Sequence, residues 1–319
     1  MAGPITWSLW VDDNPRMVLK PEYFDRVRDI GYTELALMID DAPKVWKPTW
    51  TLKQFESFCT YAETFGMKVA LTTWPWPDRG WLDAVYPQID AYCKISFDIG
   101  VLVAEESDTE RNWFPDNVVG FNLAGKRSLD LAGDDLIDRK RTIAYKYKCE
   151  SQITTFVGHL EASARADLVP YVNALYLQMY GVAHRKRKNA QGQTETWDVP
   201  WEHIYGPGSM QKMSINRADE IPGIQDGKVI LAAGLPVWDQ TWPGHTIYES
   251  IELQRDICIA NGVTRFRDWS SKHIVGTQMK RNIAEAVKRY IAEKSSQLDL
   301  SPITHPIPRK IPPGPAPGH

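Results

Sequence analysis

Acidic residues and tryptophans recur directly after short apolar segments, and this recurrence is the clearest chemical signal of the sequence. The acids at these places are Asp12, Asp13, Asp40, Asp41, Asp78, Glu105, Glu106, Asp108, Asp239 and Asp268. The chain has 13 tryptophans, and those at the same places are Trp10, Trp74, Trp76, Trp238, Trp242 and Trp269. Indole faces stack on the apolar faces of sugar rings, while carboxylates hydrogen-bond hydroxyls and supply the acid that glycosidic cleavage needs. The pattern therefore predicts a carbohydrate site.

Short β-type apolar runs alternate with amphipathic helical stretches, and the alternation repeats eight times. The predicted strands cover residues 5–11, 34–39, 68–73, 100–104, 152–157, 174–179, 228–233 and 264–269. The predicted helices cover residues 21–30, 52–65, 81–93, 129–148, 167–171, 210–218, 247–260 and 278–293. This order predicts parallel strands with right-handed crossovers. Eight such units favour a closed (β/α)₈ TIM barrel of the α/β class over an open sheet. The first strand is not followed by a glycine-rich phosphate loop, which weakens the dinucleotide-binding alternative.

We expect residues 1–297 to form this barrel as one domain and residues 298–319, which are rich in proline, to form an extended tail. The tail is a candidate for binding a protein partner. After the sixth strand, residues 180–201 carry polar segments around a turn at Asn189 to Gly192, which predicts a protruding β-hairpin. The basic run in this hairpin, Arg185 to Lys188, either contacts an anionic polymer or, in the preferred interpretation, is a solvated arm.

Composition narrows the function further. The net charge is −3, which gives no overall attraction for nucleic acid or anionic membrane. The sequence contains no run of about 18 apolar residues, so no membrane span is predicted. The N-terminus does not resemble a secretory signal. We therefore expect synthesis in the cytoplasm, with release by lysis or as part of a phage particle as further options. The four cysteines have no metal-binding spacing, so we expect reduced thiols, no metal and no cofactor.

The candidate site residues follow from the expected barrel, because its active site lies at the carboxyl ends of the strands. The candidates for catalysis are Glu105, Glu106, Asp13, Asp40, Asp239 and Tyr180. The candidates for substrate binding are Trp10, Trp74, Trp76, Gln178, Trp238, Asp268 and Trp269. Some tryptophans, such as Trp7 and Trp81, are instead expected to pack under helices.

Glu105 and Glu106 directly follow the predicted fourth strand, and one of them must face the barrel axis. Burial near other acids would raise the pKa of that carboxyl, as a general acid requires. We favour Glu105, with Glu106 as the alternative and two solvated loop acids as the remaining interpretation. The second catalytic group stays open among Asp13, Asp40 and Asp239.

A family resemblance adds to these patterns. The segment 97–100 (Phe-Asp-Ile-Gly) ahead of Glu105, the pair Met179-Tyr180 and Trp269 resemble the chitinase-like and lysozyme-like glycoside hydrolases with a (β/α)₈ barrel. The resemblance implies that Glu105 is the catalytic glutamate, that Tyr180 helps to hold an N-acetyl group, and that Trp269 floors the sugar site. Chitinases carry an aspartate where this chain has Val103, so substrate-assisted catalysis is not implied.

Three functional hypotheses remain. The first is a glycoside hydrolase acting on a polysaccharide, such as the amino-sugar polymers peptidoglycan and chitin. The second is a barrel that has lost catalysis and serves as a carbohydrate-binding or structural assembly protein. The third, a metal-dependent hydrolase, is disfavoured because the seven histidines form no His-x-His pair at a strand end.

Overall fold

A computed structural model gives the structure of the protein. The described residues are 5–40, 46–75, 79–108, 123–156, 169–179, 184–189, 191–198, 200, 202–203, 215–216, 218–221, 223–237, 242 and 244–297. The predicted tail at 298–319 lies outside them, as do four site candidates: Trp76, Tyr180, Trp238 and Asp239. Among the described helices, none combines the length and apolar composition that crossing a bilayer requires.

Eight parallel strands form the centre of the fold. They are β1 (Thr6–Val11), β2 (Glu34–Met38), β3 (Lys68–Thr73), β4 (Leu102–Asp108), β5 (Glu150–Phe156), β6 (Ala174–Gln178), β9 (Ile230–Pro236) and β10 (Arg265–Trp269). They close into a barrel in the order β1-β10-β9-β6-β5-β4-β3-β2. The predicted (β/α)₈ barrel is thereby confirmed. The remaining strands, β7 (His184–Lys188) and β8 (Thr194–Asp198), pair with each other as an antiparallel hairpin after β6.

The described helices lie outside the barrel and pack against its strands. They are α1 (Pro15–Val18), α2 (Pro21–Ile30), α3 (Leu52–Thr64), α4 (Arg79–Ile99), α5 (Leu123–Tyr147), α6 (Ile247–Ala260), α7 (Ser271–Ile274) and α8 (Arg281–Gln297). Thr51 starts α3 and Thr246 starts α6, each through a reciprocal capping box. Gly31 ends α2 with φ of 107°, a conformation that glycine adopts without strain. Outward-facing strand residues such as Leu9 pack against these helices in one continuous apolar core.

Strand β4 differs from its prediction, because it continues to Asp108 instead of ending at Ala104. Glu105 and Glu106 therefore lie inside the strand, and both are fully buried. Each has a buried cationic partner, Lys140 for Glu105 and Arg267 for Glu106. A buried carboxylate is tolerated where a cation and further hydrogen bonds compensate its lost hydration.

Arg267 fills the barrel interior and joins strands from different sides of it. Its guanidinium lies 2.8 Å from a Glu34 carboxylate oxygen and donates to Ser8 and Gln152 at 3.1 Å each. It also forms an ion pair with Glu106. These contacts tie β10 to β1, β2, β4 and β5, so one side chain cross-links five of the eight barrel strands.

Many inner-face positions of the barrel carry small residues. Alanines occupy inner-face positions on five strands, at Ala36, Ala70, Ala104, Ala174 and Ala232. The Tyr176 ring lies 3.9 Å from the Arg267 guanidinium, in a cation–π contact. Burial alone would lower the pKa of Arg267, but the charge of Glu106 and the neighbouring Tyr176 and Glu34 raise it above its ordinary value. The guanidinium is therefore permanently charged inside the barrel.

Replacing this cation tests the role of the network. We expect Arg267→Met to lower the free energy of unfolding by about 3–5 kcal/mol, because Glu106 and Glu34 would stay buried without their partner. Urea unfolding followed by circular dichroism measures the change. The control is Lys288→Met, which removes an exposed pair with Asp29 and should change stability far less. Equal stability of the two variants would show that the network does not support the barrel.

Candidate active site

A cleft of about 480 Å³ opens at the carboxyl ends of the barrel strands. It brings together six of the predicted site residues: Trp10, Asp13, Asp40, Trp74, Gln178 and Trp269. Asp12, Asp108 and Lys272 also line it. Residues that are far apart in the sequence meet here because parallel strands place all their carboxyl ends at one end of the barrel.

Trp74 positions two of the acids. The register pairs Met38 with Thr72 and Thr73 with Ser107, which brings Asp40, Trp74 and Asp108 to one level at the ends of β2, β3 and β4. The Trp74 backbone N–H donates to Asp40 Oδ1 at 3.1 Å, and its indole Nε1–H donates to Asp108 Oδ2 at 2.8 Å. One tryptophan thus orients a carboxylate on each side of it while presenting its ring to the cleft.

Asp13 is held by hydrogen bonds from the segment that follows β10. Ser271 Oγ donates to Asp13 Oδ2 at 3.1 Å, and Thr277 Oγ1 donates to Oδ1 at 3.3 Å. Burial, aided by the charge of Asp12, raises the pKa of Asp13 above its ordinary value despite these hydrogen bonds. Gly276 permits the close approach, since an added Cβ there would lie 1.9 Å from Asp13 Oδ2.

Gln178 is the third kind of polar group in the cleft. It is the last residue of β6 and is only 5% exposed. Its Oε1 accepts no hydrogen bond from any of the described residues. The neighbouring strand places Gly234 beside it, with no side chain that would cover the amide. A buried amide oxygen without a donor is costly, and Oε1 is therefore placed to accept a hydrogen bond from a ligand in the cleft.

Glu105 does not face the cleft, and the expectation that it points to the barrel axis is wrong. Its carboxylate points outward to α5, where Lys140 Nζ lies 2.5 Å away. The same ammonium donates to Ser107 Oγ at 3.0 Å, and the Tyr86 hydroxyl of α4 lies 3.4 Å from Glu105 Oε1. The carboxylate is fully buried between the barrel and its helices, so its contacts are those of a structural ion pair.

Glu106 does point inward, but it lies below the cleft. It accepts a hydrogen bond from Thr72 Oγ1 at 2.9 Å, and it also contacts Thr154 and Arg267. The described lining of the cleft does not include it. The prediction that one of the two glutamates faces the axis is therefore met by Glu106, which is occupied by the arginine network.

Asp268 also lies behind the cleft and not in it, which corrects its expected role in substrate binding. It faces outward from β10, where Arg255 of α6 forms an ion pair at 2.6 Å. The Tyr32 hydroxyl donates to it at 2.6 Å. Because successive strand residues point to opposite faces, fixing Asp268 outward directs Trp269 inward.

Asp108 is the cleft acid that the sequence analysis did not select. It appears among the strand-end acids, but the predicted end of β4 at residue 104 made Glu105 and Glu106 the nearer candidates. From Ala104 the inner face continues through Glu106 to Asp108, two residues at a time. Following that alternation beyond the predicted end of the strand would have found it.

Comparison with known proteins gives relatives by structure alone. No protein-family model and no curated protein matches the chain. A GH5-4 broad-specificity endoglucanase from Clostridium longisporum aligns with TM-score 0.55 and 10% identity, covering 91% of this chain and 96% of that one. A family 18 N-acetylglucosaminidase from Paenibacillus barengoltzii gives 0.52 and 11%, covering 89% and 99%. D-psicose 3-epimerase from Clostridium cellulolyticum H10 gives 0.50 and 11%, covering 92% and 99%.

These identities are low, so the likeness shows the fold and leaves the reaction to be argued from the site. The protein belongs structurally among the (β/α)₈ barrels, and the resemblance to barrel glycoside hydrolases is confirmed at the level of the fold.

The role of Glu105 can be tested through stability. We expect Glu105→Gln to lower the free energy of unfolding by about 3 kcal/mol, because Lys140 would remain buried without a counter-charge. The double variant Glu105→Leu with Lys140→Met should recover most of this loss, since it removes both charges. Denaturant unfolding of both variants and the wild type measures the difference. A Glu105→Gln variant as stable as the wild type would contradict the structural ion pair.

Asp13 predicts a dependence of stability on pH. Its raised pKa means that the folded protein binds this proton more tightly than the unfolded chain does. The protonated carboxyl therefore stabilises the fold at low pH, and this contribution is lost as the pH rises through the folded-state pKa. Unfolding free energies of the wild type and Asp13→Asn should be measured across the acidic range. We expect the wild type to lose stability relative to the variant as the pH rises; a constant difference would refute the shift.

Proposed function

We propose that the protein is a glycoside hydrolase that cleaves a polysaccharide bound in this cleft. The observation that carries the proposal is the meeting of Trp10, Trp74 and Trp269 with the carboxylates of Asp13, Asp40 and Asp108 at the carboxyl end of a barrel. Tryptophan faces bind sugar rings, and two carboxyl groups suffice for cleavage of a glycosidic bond. The fold shared with an endoglucanase and an N-acetylglucosaminidase is consistent with it.

The chemistry is divided between two acids with different surroundings. Asp13, whose pKa is raised by burial, is the carboxyl that we assign as the proton donor to the leaving glycosidic oxygen. Asp108, oriented by the Trp74 indole N–H, serves as the second carboxylate. It either attacks the anomeric carbon or takes a proton from the attacking water. Asp40 lies on the other side of Trp74 and hydrogen-bonds sugar hydroxyls or replaces Asp108 in this role.

Residues of the adjoining loops complete the proposed site. Trp76, Tyr180, Trp238 and Asp239 follow β3, β6 and β9 in the sequence. We place them around the substrate, with Asp239 as a further candidate for the second carboxylate. The resemblance to chitinase-like enzymes, through Met179-Tyr180 and Trp269, favours an amino-sugar polymer such as chitin or peptidoglycan.

A non-catalytic carbohydrate-binding barrel is the second candidate. This candidate is favoured because both glutamates of β4 form ion pairs, Glu105 with Lys140 and Glu106 with Arg267. If catalysis depended on a glutamate of the fourth strand, these ion pairs would leave no carboxyl group free to act as the acid. Trp10, Trp74 and Trp269 would still bind sugar.

Variants of the two proposed acids separate these functions. Reducing ends released from chitin and peptidoglycan are measured for the wild type, Asp108→Asn and Asp13→Asn. We expect each substitution to lower kcat/KM by roughly 10²–10⁴, because proton transfer or charge stabilisation is lost. The matched control is Asp29→Asn on the outer helix α2, which should leave the rate unchanged. A wild type that binds these polymers without releasing reducing ends would support the binding barrel instead.

A further inference from the structure

The segment that follows β10 packs against the end of β1, where Asp13 lies. Its backbone forms a closed turn, because the N–H groups of Val275 and Gly276 both donate to the Ser271 carbonyl oxygen at 2.9 Å. The side chains of Ile274 and Val275 are buried in the apolar core. Backbone hydrogen bonds and apolar burial thus fix the places of the polar side chains in this segment.

Two of these polar side chains are hydroxyls that donate to Asp13, one to each carboxylate oxygen. Ser271 Oγ lies 3.1 Å from Oδ2, and Thr277 Oγ1 lies 3.3 Å from Oδ1. The backbone of Gly276 closes the remaining space, since an added Cβ would lie 1.9 Å from Asp13 Oδ2 and 2.8 Å from the Lys272 Cα. The carboxyl group is therefore held at both oxygens, which fixes its orientation.

The cation of the same segment pairs with a different acid. Lys272 Nζ lies 2.9 Å from Oδ2 of Asp12, and the lysine side chain is partly exposed at the edge of the cleft. Ser271, in contrast, is fully buried beside Asp13. A hydroxyl that donates to a carboxylate favours its ionised form, but less strongly than a buried cation does.

Two opposing influences therefore act on Asp13. Burial favours the protonated carboxyl and raises its pKa, and the charge of Asp12 adds to this effect. Hydrogen bonds from Ser271 and Thr277 favour the carboxylate, and the largest single one comes from Ser271. An acid that gives up a proton and then carries the resulting charge in a buried place needs both influences.

We propose that Ser271 and Thr277 are positioning residues for Asp13, which fix its orientation and stabilise the negative charge that it carries once its proton has left. The inference rests on the proposed function for the claim that the proton goes to a glycosidic oxygen. In that step the bond between this oxygen and the anomeric carbon breaks, and the bonding electrons leave with the oxygen as a hydroxyl group. Water then supplies the hydroxyl group of the anomeric carbon and the proton that restores Asp13.

Direct titration of Asp13 tests the two hydroxyls without any substrate. Its side-chain carboxyl is followed by carbon NMR spectroscopy in the full-length protein, and Asp13→Asn identifies the signal. We expect Ser271→Ala to raise the pKa of Asp13, because the largest hydrogen bond that favours the carboxylate is lost. Thr277→Val should raise this pKa less, and Thr277→Ser, which keeps the hydroxyl, should leave it nearly unchanged.

Other ionisable groups around Asp13 stay the same in all these variants. They are Asp12 after β1, Tyr23 of α2, Lys272 and His273 of α7, and Asp40 and Asp108 in the lining of the same cleft. Because each variant changes an uncharged side chain, a shift in the titration reports the lost hydroxyl. The matched control is Ser57→Ala on α3, which removes a hydroxyl bonded to the Lys53 carbonyl oxygen and should leave the pKa of Asp13 unchanged.

The pH profile of cleavage links the hydroxyls to the reaction. We expect Ser271→Ala to lower kcat for the release of reducing ends about tenfold and to change KM less than about twofold, because the acid is less well oriented. The alkaline limb of kcat/KM should move to higher pH together with the pKa of Asp13, since the proton donor must be protonated. Thr277→Ser should retain the wild-type rate and limb, whereas Thr277→Val should not. A purely structural role would lower stability without moving the limb.

The outcomes separate this inference from the proposed function. An unchanged titration of Asp13 in folded Ser271→Ala would overturn the role of the hydroxyls and leave the hydrolase intact. A raised pKa in this variant, with no release of reducing ends by the wild type, would support the hydroxyls and overturn the hydrolase. A raised pKa with an unmoved alkaline limb would overturn their role in proton donation. Circular dichroism establishes folding, and Thr277→Val, at an exposed position, gives the same test if Ser271→Ala does not fold.

Discussion

The charge of Arg267 in the middle of the barrel is the constraint on which the site depends. Its guanidinium is held by Glu34, Glu106, Ser8 and Gln152, so the interior is organised by directional contacts and not by apolar layers alone. On five strands, a residue that belongs to this network or contacts it lies two positions before a residue that lines the cleft. The pairs are Ser8 with Trp10, Thr72 with Trp74, Glu106 with Asp108, Tyr176 with Gln178, and Arg267 with Trp269. Because side chains alternate along a strand, the network fixes which residues face the cleft above it.

The order of the eight barrel strands was predictable from the sequence, while the direction in which individual side chains point was not. Alternating apolar runs in the sequence mark the eight strands. The end of β4 escaped prediction because Glu105 and Glu106 resemble a solvated loop until Lys140 and Arg267 are known to lie beside them. Those cations come from distant parts of the chain, and only the closed barrel brings them together.

A β-bulge adds a second reason for the error on β4. The register with β3 shifts between Val69 and Ala70, where Val103 is the extra residue. Val103 and Ala104 both pack in the inner cluster, so simple alternation fails at this point. The bulge decides that Glu106 and Asp108 face inward. Asp268 and Trp269 show the same difficulty without a bulge, since they are adjacent at the end of β10 and only the Arg255 partner reveals which of them turns outward.

The acidic residues fall into two groups according to the side chains that they contact. Glu34, Glu105, Glu106, Glu150 and Asp268 pair with lysine or arginine side chains behind or beneath the cleft. Asp13, Asp40 and Asp108 accept hydrogen bonds from hydroxyl or tryptophan N–H groups within it. A buried ion pair is costly to break, so the acids paired with lysine or arginine are held in structural roles. The position of an acid after a strand therefore says less about its role than the partner that the fold gives it.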